Sequence, residues 1–253
     1  NITAKNADVC GILVVNTTDS TISNVSSHNT WGNGIQLHTS SNCDITDCDS
    51  YNNGAGIYLK SSSNNNIINC DTYDNSRHGI YLYYASYNDI INCNIYDNQG
   101  TYSYGIYISC PSDNNLIHHN NFVNNAVENA YDECSNQWDD GSEGNYWSDY
   151  EGKYPGATNN GLVWDTPYAI PGGSNQDNFP LVDPIGPEDF TLIISVVGSG
   201  TTTPEAGITH SYLSGTVVDL EAFPDDGWEF AGWSGDITTG ENPTTITMDS
   251  HQA

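Results

Sequence analysis

The chain has 253 residues, with 4 Lys and Arg against 32 Asp and Glu and a formal charge of −28. Such a field repels nucleic acid and anionic membrane surfaces, which removes both from the expected partners. It suits calcium, whose ligands are carboxylate and amide oxygens. No apolar run reaches the roughly 20 residues of a membrane helix, so direct membrane insertion is not expected.

At the start of the chain Asn1, Asn16 and Asn24 each head an N-glycosylation sequon, whereas Asn242 is followed by Pro243 and does not qualify. The sequons favour an extracellular or cell-surface location. No leader-like segment precedes Asn1 and the pattern opens in mid-repeat, so a processed or truncated form is expected.

The repeat decides the fold. Gly11, Gly34, Gly56, Gly79 and Gly105 are spaced by 23, 22, 23 and 26 residues and open the stretches GILV, GIQL, GIYL, GIYL and GIYI. Ile12, Ile35, Ile57, Ile80 and Ile106 recur at one position. Val14, Leu37, Leu59, Leu82 and Ile108 follow two residues later, the period of a strand with one buried face. Counting on from the glycines gives a second apolar column of Ile22, Ile45, Ile67, Ile90 and Leu116. A third column holds Val25, Cys48, Cys70, Cys93 and His119, and an aromatic one holds His28, Tyr51, Tyr73, Tyr96 and Phe122. Asn53, Asn75, Asn98 and Asn124 occupy one turn position, where Asn tolerates left-handed backbone and its amide can bond to the copy in the next coil. Three short strands per coil and no helical period predict an all-β fold. It is a right-handed parallel β-helix of five to six coils over residues 1–134. The LxxLxLxxN pattern of leucine-rich repeats is absent.

Two rows point outward from the strand that follows each glycine. Leu13, Gln36, Tyr58, Tyr81 and Tyr107 form one, and Val15, His38, Lys60, Tyr83 and Ser109 the other, with Arg77 and His78 in the adjoining turn. Three readings stay open. The tyrosines can be an inert ladder filling a pleated surface. They can bind sugar through Tyr58, Tyr81, Tyr83 and Tyr107, whose rings bury readily while the hydroxyls stay wet. Or Tyr58, Lys60, His38 and Tyr81 can supply the base, cation and acid of uronate chemistry, since polysaccharide lyases and epimerases on right-handed β-helices use such a face. Few basic residues argue against a strongly anionic substrate. No HExxH, GxSxG, Walker-type or haem-attachment motif occurs.

The 7 cysteines divide by position. Cys48, Cys70 and Cys93 share an inward column. They are expected to stack as apolar thiols rather than join His119 around a metal, because coils about 4.8 Å apart cannot aim three neighbours at one ion. With Asn129 taken as the glycine equivalent of a sixth coil, Cys110 and Cys134 both fall five residues after their coil starts, which predicts a disulfide. Cys10 and Cys43 are unassigned.

Residues 135–183, with Trp138, Trp147 and Trp164 and little periodicity, are expected to cap the open end of the helix, where strand edges would otherwise be bare. Residues 184–189 read as a linker. From 190 to 253, FTLIISVVGSG, GTVVDLEAFPDDGWEFAGWSGD and NPTTITM alternate apolar and polar residues as a small β-sheet module.

Two resemblances follow from these stretches. GIYLKSSSNNNIINCDTYDN is similar to the parallel β-helix repeats of the NosD-like family. NAYDECSNQWDDGSEGNYWSDYEG, WDTPYAIPGG and DNFPL resemble that family's closing segment, most specifically in GNYWSDY and DTPY. The likeness covers residues 11–183 and implies the fold; the family's namesake is linked to copper-site maturation in the periplasm. Members carry an Asp/Asn-Gly run before DTPY that looks calcium-binding. Here it reads Asn159-Asn160-Gly161 and then Asp165, either a calcium site or an Asn-Gly turn with Asp165 capping a loop. Gly227, Phe230, Gly232, Trp233, Ser234 and Gly235 resemble the internalin B-type repeat of bacterial surface proteins. That pattern continues past MDS into a final strand, which this chain lacks or a neighbouring subunit supplies.

These readings favour a surface or structural protein that contacts glycans or joins its own copies head to tail. A lyase or epimerase is the alternative and a periplasmic copper-maturation role the third, with calcium the one cofactor expected.

Overall fold

The computed structural model describes residues 2–186, 189–213, 216–248 and 252. Asn1, the first sequon asparagine, and residues 187–188 of the expected linker lie outside the described residues. The chain divides into two compact units, Asn1–Ile185 and Gly186–Ala253.

The first unit is a parallel β-helix of three sheets. One holds Cys10–Val15, Asn33–His38, Ile57–Lys60, Ile80–Tyr83, Tyr104–Ser109 and Glu128–Asp132. The second holds Thr21–Ser23, Asp44–Thr46, Asn66–Ile68, Asp89–Ile91 and Leu116–His118. The third runs from Ile2–Lys5 through Val25–His28, Asp49–Tyr51, Asp71–Tyr73, Asn94–Tyr96 and Asn121–Val123 to Tyr146–Trp147. Coils stack in register, so Ile35, Ile57, Ile80 and Ile106 pair in turn, as do Ile45, Ile67 and Ile90; all are fully buried.

Single left-handed residues make the corners. Asn24, Asp47, Asn69, Asn92 and His119, with φ of 53–54°, follow the second strand of successive coils. Asn52, Asp74, Asp97 and Asn124 do the same after the third. Asn and Asp tolerate this region better than other side chains, which explains their abundance here. After such a corner the chain turns inward, and the next backbone N–H has no strand partner. After the third strand a buried asparagine in the adjacent coil accepts it. Asn53 N donates to Asn75 Oδ1 at 3.0 Å, Asn75 N to Asn98 Oδ1 at 3.2 Å and Asn98 N to Asn125 Oδ1 at 3.2 Å. A second ladder runs Asn65, Asn88, Asn115 and Asn136.

Four of the sequence columns are corrected in their last member. Tyr83 pairs with Ser109, 26 residues on, but the Ala85 N–H reaches Ser112, 27 residues on. One extra residue therefore enters at Cys110–Pro111. Downstream, Ile117 rather than Leu116 pairs with Ile90, and Asn120 rather than His119 accepts the Cys93 N–H. Phe122 pairs with inward Ile95 instead of following Tyr96, and Asn125 rather than Asn124 continues the amide ladder. Spacing counted from glycine to glycine cannot locate an insertion inside a coil.

Cys43, Cys48, Cys70 and Cys93 are buried, and the thiols of the last three donate to Thr46 O, Ile68 O and Ile91 O at 3.1–3.3 Å. The Cys70 thiol beside it, then burial, push Cys48 well above the ordinary thiol range. Cys110 and Cys134 form a disulfide with Cα atoms 5.4 Å apart.

The closing segment continues the helix before covering it. Trp147 pairs with Phe122 as the last strand of the third sheet, their rings stacked at 4.5 Å, and Tyr168 stacks on Trp147 at 4.0 Å. Buried Asp177 accepts Trp147 Nε1 at 2.9 Å and Asn145 N at 2.7 Å.

The second unit pairs Asp189–Ile193 with Thr209–Leu213 and joins Gly200–Thr203, Val217–Pro224 and Thr244–Thr247 in an antiparallel sheet. Leu192, Ile194, Val218, Leu220, Ile246 and Met248 form its core.

Asn75→Ala should cost about 3 kcal/mol, read from denaturant unfolding, because it strands the Asn53 N–H and the Ser50 carbonyl in the interior. The buried thiols at Cys43, Cys48, Cys70 and Cys93 should react with dithionitrobenzoate only after unfolding; rapid reaction of the native protein would contradict the ladder.

Candidate functional site

The sheet carrying the GIYL repeats exposes the two predicted rows. Gln36, Tyr58, Tyr81, Tyr107 and Tyr131 pair in succession along one, and His38, Lys60, Tyr83 and Ser109 along the other. The structure thus brings Tyr58, Lys60, His38 and Tyr81 together on one half-buried face. Tyr58 and Tyr81 stack at 4.8 Å with planes 10° apart, Tyr107 and Tyr131 at 5.3 Å and 8°. His78 inserts from the turn and stacks on Tyr107 at 4.9 Å. Within these stacked pairs each ring covers a face of its partner, while Tyr81 and Tyr107 are tilted by 59° to one another.

Ionisation follows from this packing. Burial first, then Tyr81 and Tyr83, push Tyr58 up to about 12. Burial, then the Arg77 charge, push His78 down to about 4. Near neutral pH this stretch therefore presents a protonated phenol at Tyr58 and a neutral imidazole at His78.

The two most exposed aromatics among the described residues lie one corner away, where the third sheet passes to the first. Trp31 and Tyr102 are 87% and 77% exposed. Trp31 borders a depression lined by Asn29, Thr30, Asn52, Asn53, Asp74 and Ser76. Ser76 also borders a second one, lined by Arg77, His78, Thr101 and Tyr102. The two depressions adjoin at Ser76, and the stretch between Trp31 and Tyr102 that contains both is called the trough. The backbone steps Gly32, Gly54 and Arg77 lie along it, joined by hydrogen bonds from Gly54 N to Gly32 O and from Arg77 N to Gly54 O. Trp31 and Tyr102 are three coils apart, about 14 Å at the inter-strand spacing. A side chain at Gly54 would meet Gly32 O at 2.5 Å, so glycine keeps the floor low. Sequence reasoning missed Trp31 and Tyr102; their signal was that neither belongs to a column.

The remaining site residues are dispersed. Asn159, Asn160 and Asp165 share one hairpin turn, where Asn160 Oδ1 accepts Leu162 N and Val163 N at 2.9 Å. Asp165 accepts Thr158 N at 3.0 Å and Thr158 Oγ1 at 2.6 Å. Asn16 and Asn24 are exposed.

Metal donors gather elsewhere. His119 is absent from the cysteine column because of the Cys110–Pro111 insertion, so a set of Cys48, Cys70, Cys93 and His119 does not form. The buried thiols, each donating to a backbone carbonyl of its own coil, and the single methionine, Met248 of the second unit, do not fit a soft-metal site. Among the described residues His118, His119 and Asp140 place one ligand atom each within 4.8 Å of one another. Imidazole and carboxylate suit a divalent transition ion.

Among solved structures, the periplasmic alginate epimerase AlgG is 23% identical, with 53% of this chain and 32% of that chain covered and a TM-score of 0.49. Pectate lyase Pel9A is 17% identical, with 53% and 39% covered and a TM-score of 0.45. ORF18 of Geobacillus virus E2 is 12% identical, with 99% and 53% covered and a TM-score of 0.43. The chain spans about a third of the length of the epimerase. No curated protein matches it. Residues 190–253 match the divergent InlB B-repeat domain. Residues 1–152, more than half of the chain, match the family described as periplasmic copper-binding protein (NosD), and the chain belongs to that family.

Proposed function

We propose that the β-helix is a non-catalytic glycan-contacting module of a protein outside the cytoplasm, and that the ligand lies in the trough between Trp31 and Tyr102. The trough itself carries the reading: exposed Trp31 stands beside Asn52, Asp74 and Ser76, and exposed Tyr102 beside Ser76 and Arg77. Sugar rings present C–H faces that pack on aromatic rings and hydroxyls that pair with amides and carboxylates. A charge of −28 disfavours a polyanionic ligand, so a neutral oligosaccharide fits best. The disulfide at Cys110–Cys134 and the family's periplasmic description support a location outside the cytosol.

In this reading the tyrosine face is a flank, not a reaction centre. The Tyr58 phenol, pushed up to about 12, is a weak base at neutral pH, and its ring face is taken by Tyr81.

Neutral oligosaccharides screened by calorimetry should include a ligand whose affinity falls about tenfold in Trp31→Ala and in Tyr102→Ala. Loss of binding in Tyr58→Phe with Trp31→Ala unaffected, or chain cleavage or epimerisation of the sugar, would move the site to the tyrosine face and restore the enzymatic alternative.

A pH test follows from His78. Its folded value near 4 lies below the ordinary 6.5, so its contribution to stability is full above 6.5 and is lost as pH falls through 4. The His78 ring resonances should titrate with a midpoint near 4, and glycan affinity should stay flat from about pH 5.5 upward as far as His78 governs it. A midpoint near 6.5 would contradict the packed geometry.

A further inference from the structure

The strand Leu116–His118 ends in a dipeptide that departs from its own repeat. At the two equivalent positions earlier coils carry Ser23-Asn24, Thr46-Asp47, Ile68-Asn69 and Ile91-Asn92; this coil carries His118-His119. Neither histidine is needed for the turn, since Asn or Asp makes the same left-handed corner elsewhere.

The departure occurs where the closing segment crosses the coil. His119 N donates to Gly144 O at 2.6 Å, which draws the Asp139–Gly144 turn against the two imidazoles. Asp140 sits in that turn and uses one oxygen, Oδ1, to accept the Ser142 and Glu143 N–H groups and the Ser142 hydroxyl at 2.7–2.8 Å. Its carboxylate is thereby fixed. Glu143 Oε2 accepts from His119 Nε2 at 3.0 Å. That bond places the His119 proton on Nε2 and leaves a lone pair on Nδ1. The His119 Nδ1 faces His118 Nδ1 at 2.5 Å. A ligating histidine oriented by a carboxylate on its far nitrogen is the arrangement that metal sites use to fix ring and tautomer.

We propose that His118, His119 and Asp140 bind a divalent transition-metal ion through two imidazole nitrogens and a carboxylate oxygen, with Glu143 orienting His119. The set is partly exposed, with His119 and Glu143 side chains 25% and 34% accessible, so an ion can enter and water can complete its coordination. Nitrogen-rich borderline donors favour Cu2+ and Zn2+ over Ca2+ and Mg2+, which prefer all-oxygen sets. The site lies outside the glycan trough and stands independently of it. An ion here would also tie the last full coil to the closing segment.

Untagged full-length protein is titrated with Zn2+ and with Cu2+ by calorimetry near neutral pH, with and without excess Ca2+. One ion per chain is expected, undisturbed by Ca2+, with a Cu2+ electron-paramagnetic spectrum showing coupling to two imidazole nitrogens. His118→Thr and His119→Asn install residues that other coils carry at these positions and keep the turn chemistry. Each should weaken binding about tenfold or more, as should Asp140→Asn, with circular dichroism unchanged. Absence of stoichiometric binding, or affinity and nitrogen coupling preserved in both histidine variants, overturns the proposal and leaves the cluster as a surface ion pair. Should His119→Asn fail to fold, His118→Thr decides alone.

Discussion

The backbone N–H that follows each corner of the coil governs this structure. It points inward, away from water and between strands, and an unpaired group there would cost about 1–3 kcal/mol. The chain answers with a residue pair. After the third strand an Asn or Asp turns the corner and a buried Asn in the neighbouring coil accepts the inward N–H. Asn88 does the same for Asn65 at another corner, while a buried Ser hydroxyl accepts it from Ser40 and Ala85. Because each asparagine serves the coil beside it, no coil is satisfied alone. Stacking supplies at once the hydrogen bonds and the burial of the isoleucine and leucine columns.

This coupling explains what was legible in the sequence. Gly56, Gly79 and the Ile-x-Leu step after them mark the first strand plainly, since strand periodicity and close coil packing both constrain them. The outward rows of Tyr58, Tyr81 and Tyr107 follow from alternation alone. Cys110 and Cys134 were legible because the first sheet keeps its register from Tyr104–Glu128 to Ile108–Asp132. The slip at Cys110–Pro111 was not legible from glycine spacing. It could have been read from the amides. Asn115 lies 27 residues after Asn88 and accepts its N–H, one residue more than the 26 that separate Gly79 from Gly105. Asn120 lies 27 residues after Cys93 and accepts its N–H in the same way. The hydrogen-bond ladder, not the apolar pattern, carries the finer register.

The functional surface obeys the opposite rule. Residues that recur from coil to coil contact their own copies, as Tyr51, Tyr73 and Tyr96 do in a stack spaced at 4.8 Å. Their faces are spent on the fold, and what remains for a ligand is edge and hydroxyl. Residues that break the repeat have no copy to stack on. Trp31 and Tyr102 stand out from the corner, and His118-His119 meets a turn of the aperiodic closing segment. A search for repeated aromatics therefore finds the ladder first and the trough last.

Departures gather in the coil that precedes the closing segment, and the corner constraint says why. An insertion within a strand would shift every inward side chain by one and put polar residues in the core. At a corner, extra residues loop outward while the flanking ladder bonds persist: Gln99 N still donates to Asn75 O before the loop that carries Tyr102. The same coil holds that loop, the Cys110–Pro111 insertion and the histidine pair. Along its second and third strands its far side meets residues 135–183 instead of another repeat, and these supply Asp140 and Glu143. Glu128–Asp132 continues the first sheet, and Cys134 just after it supplies the disulfide partner. A repeat pressed between two repeats is held to their pattern on both sides. One that borders a different sequence is released on one side, and that is where this chain places chemistry that its other coils lack.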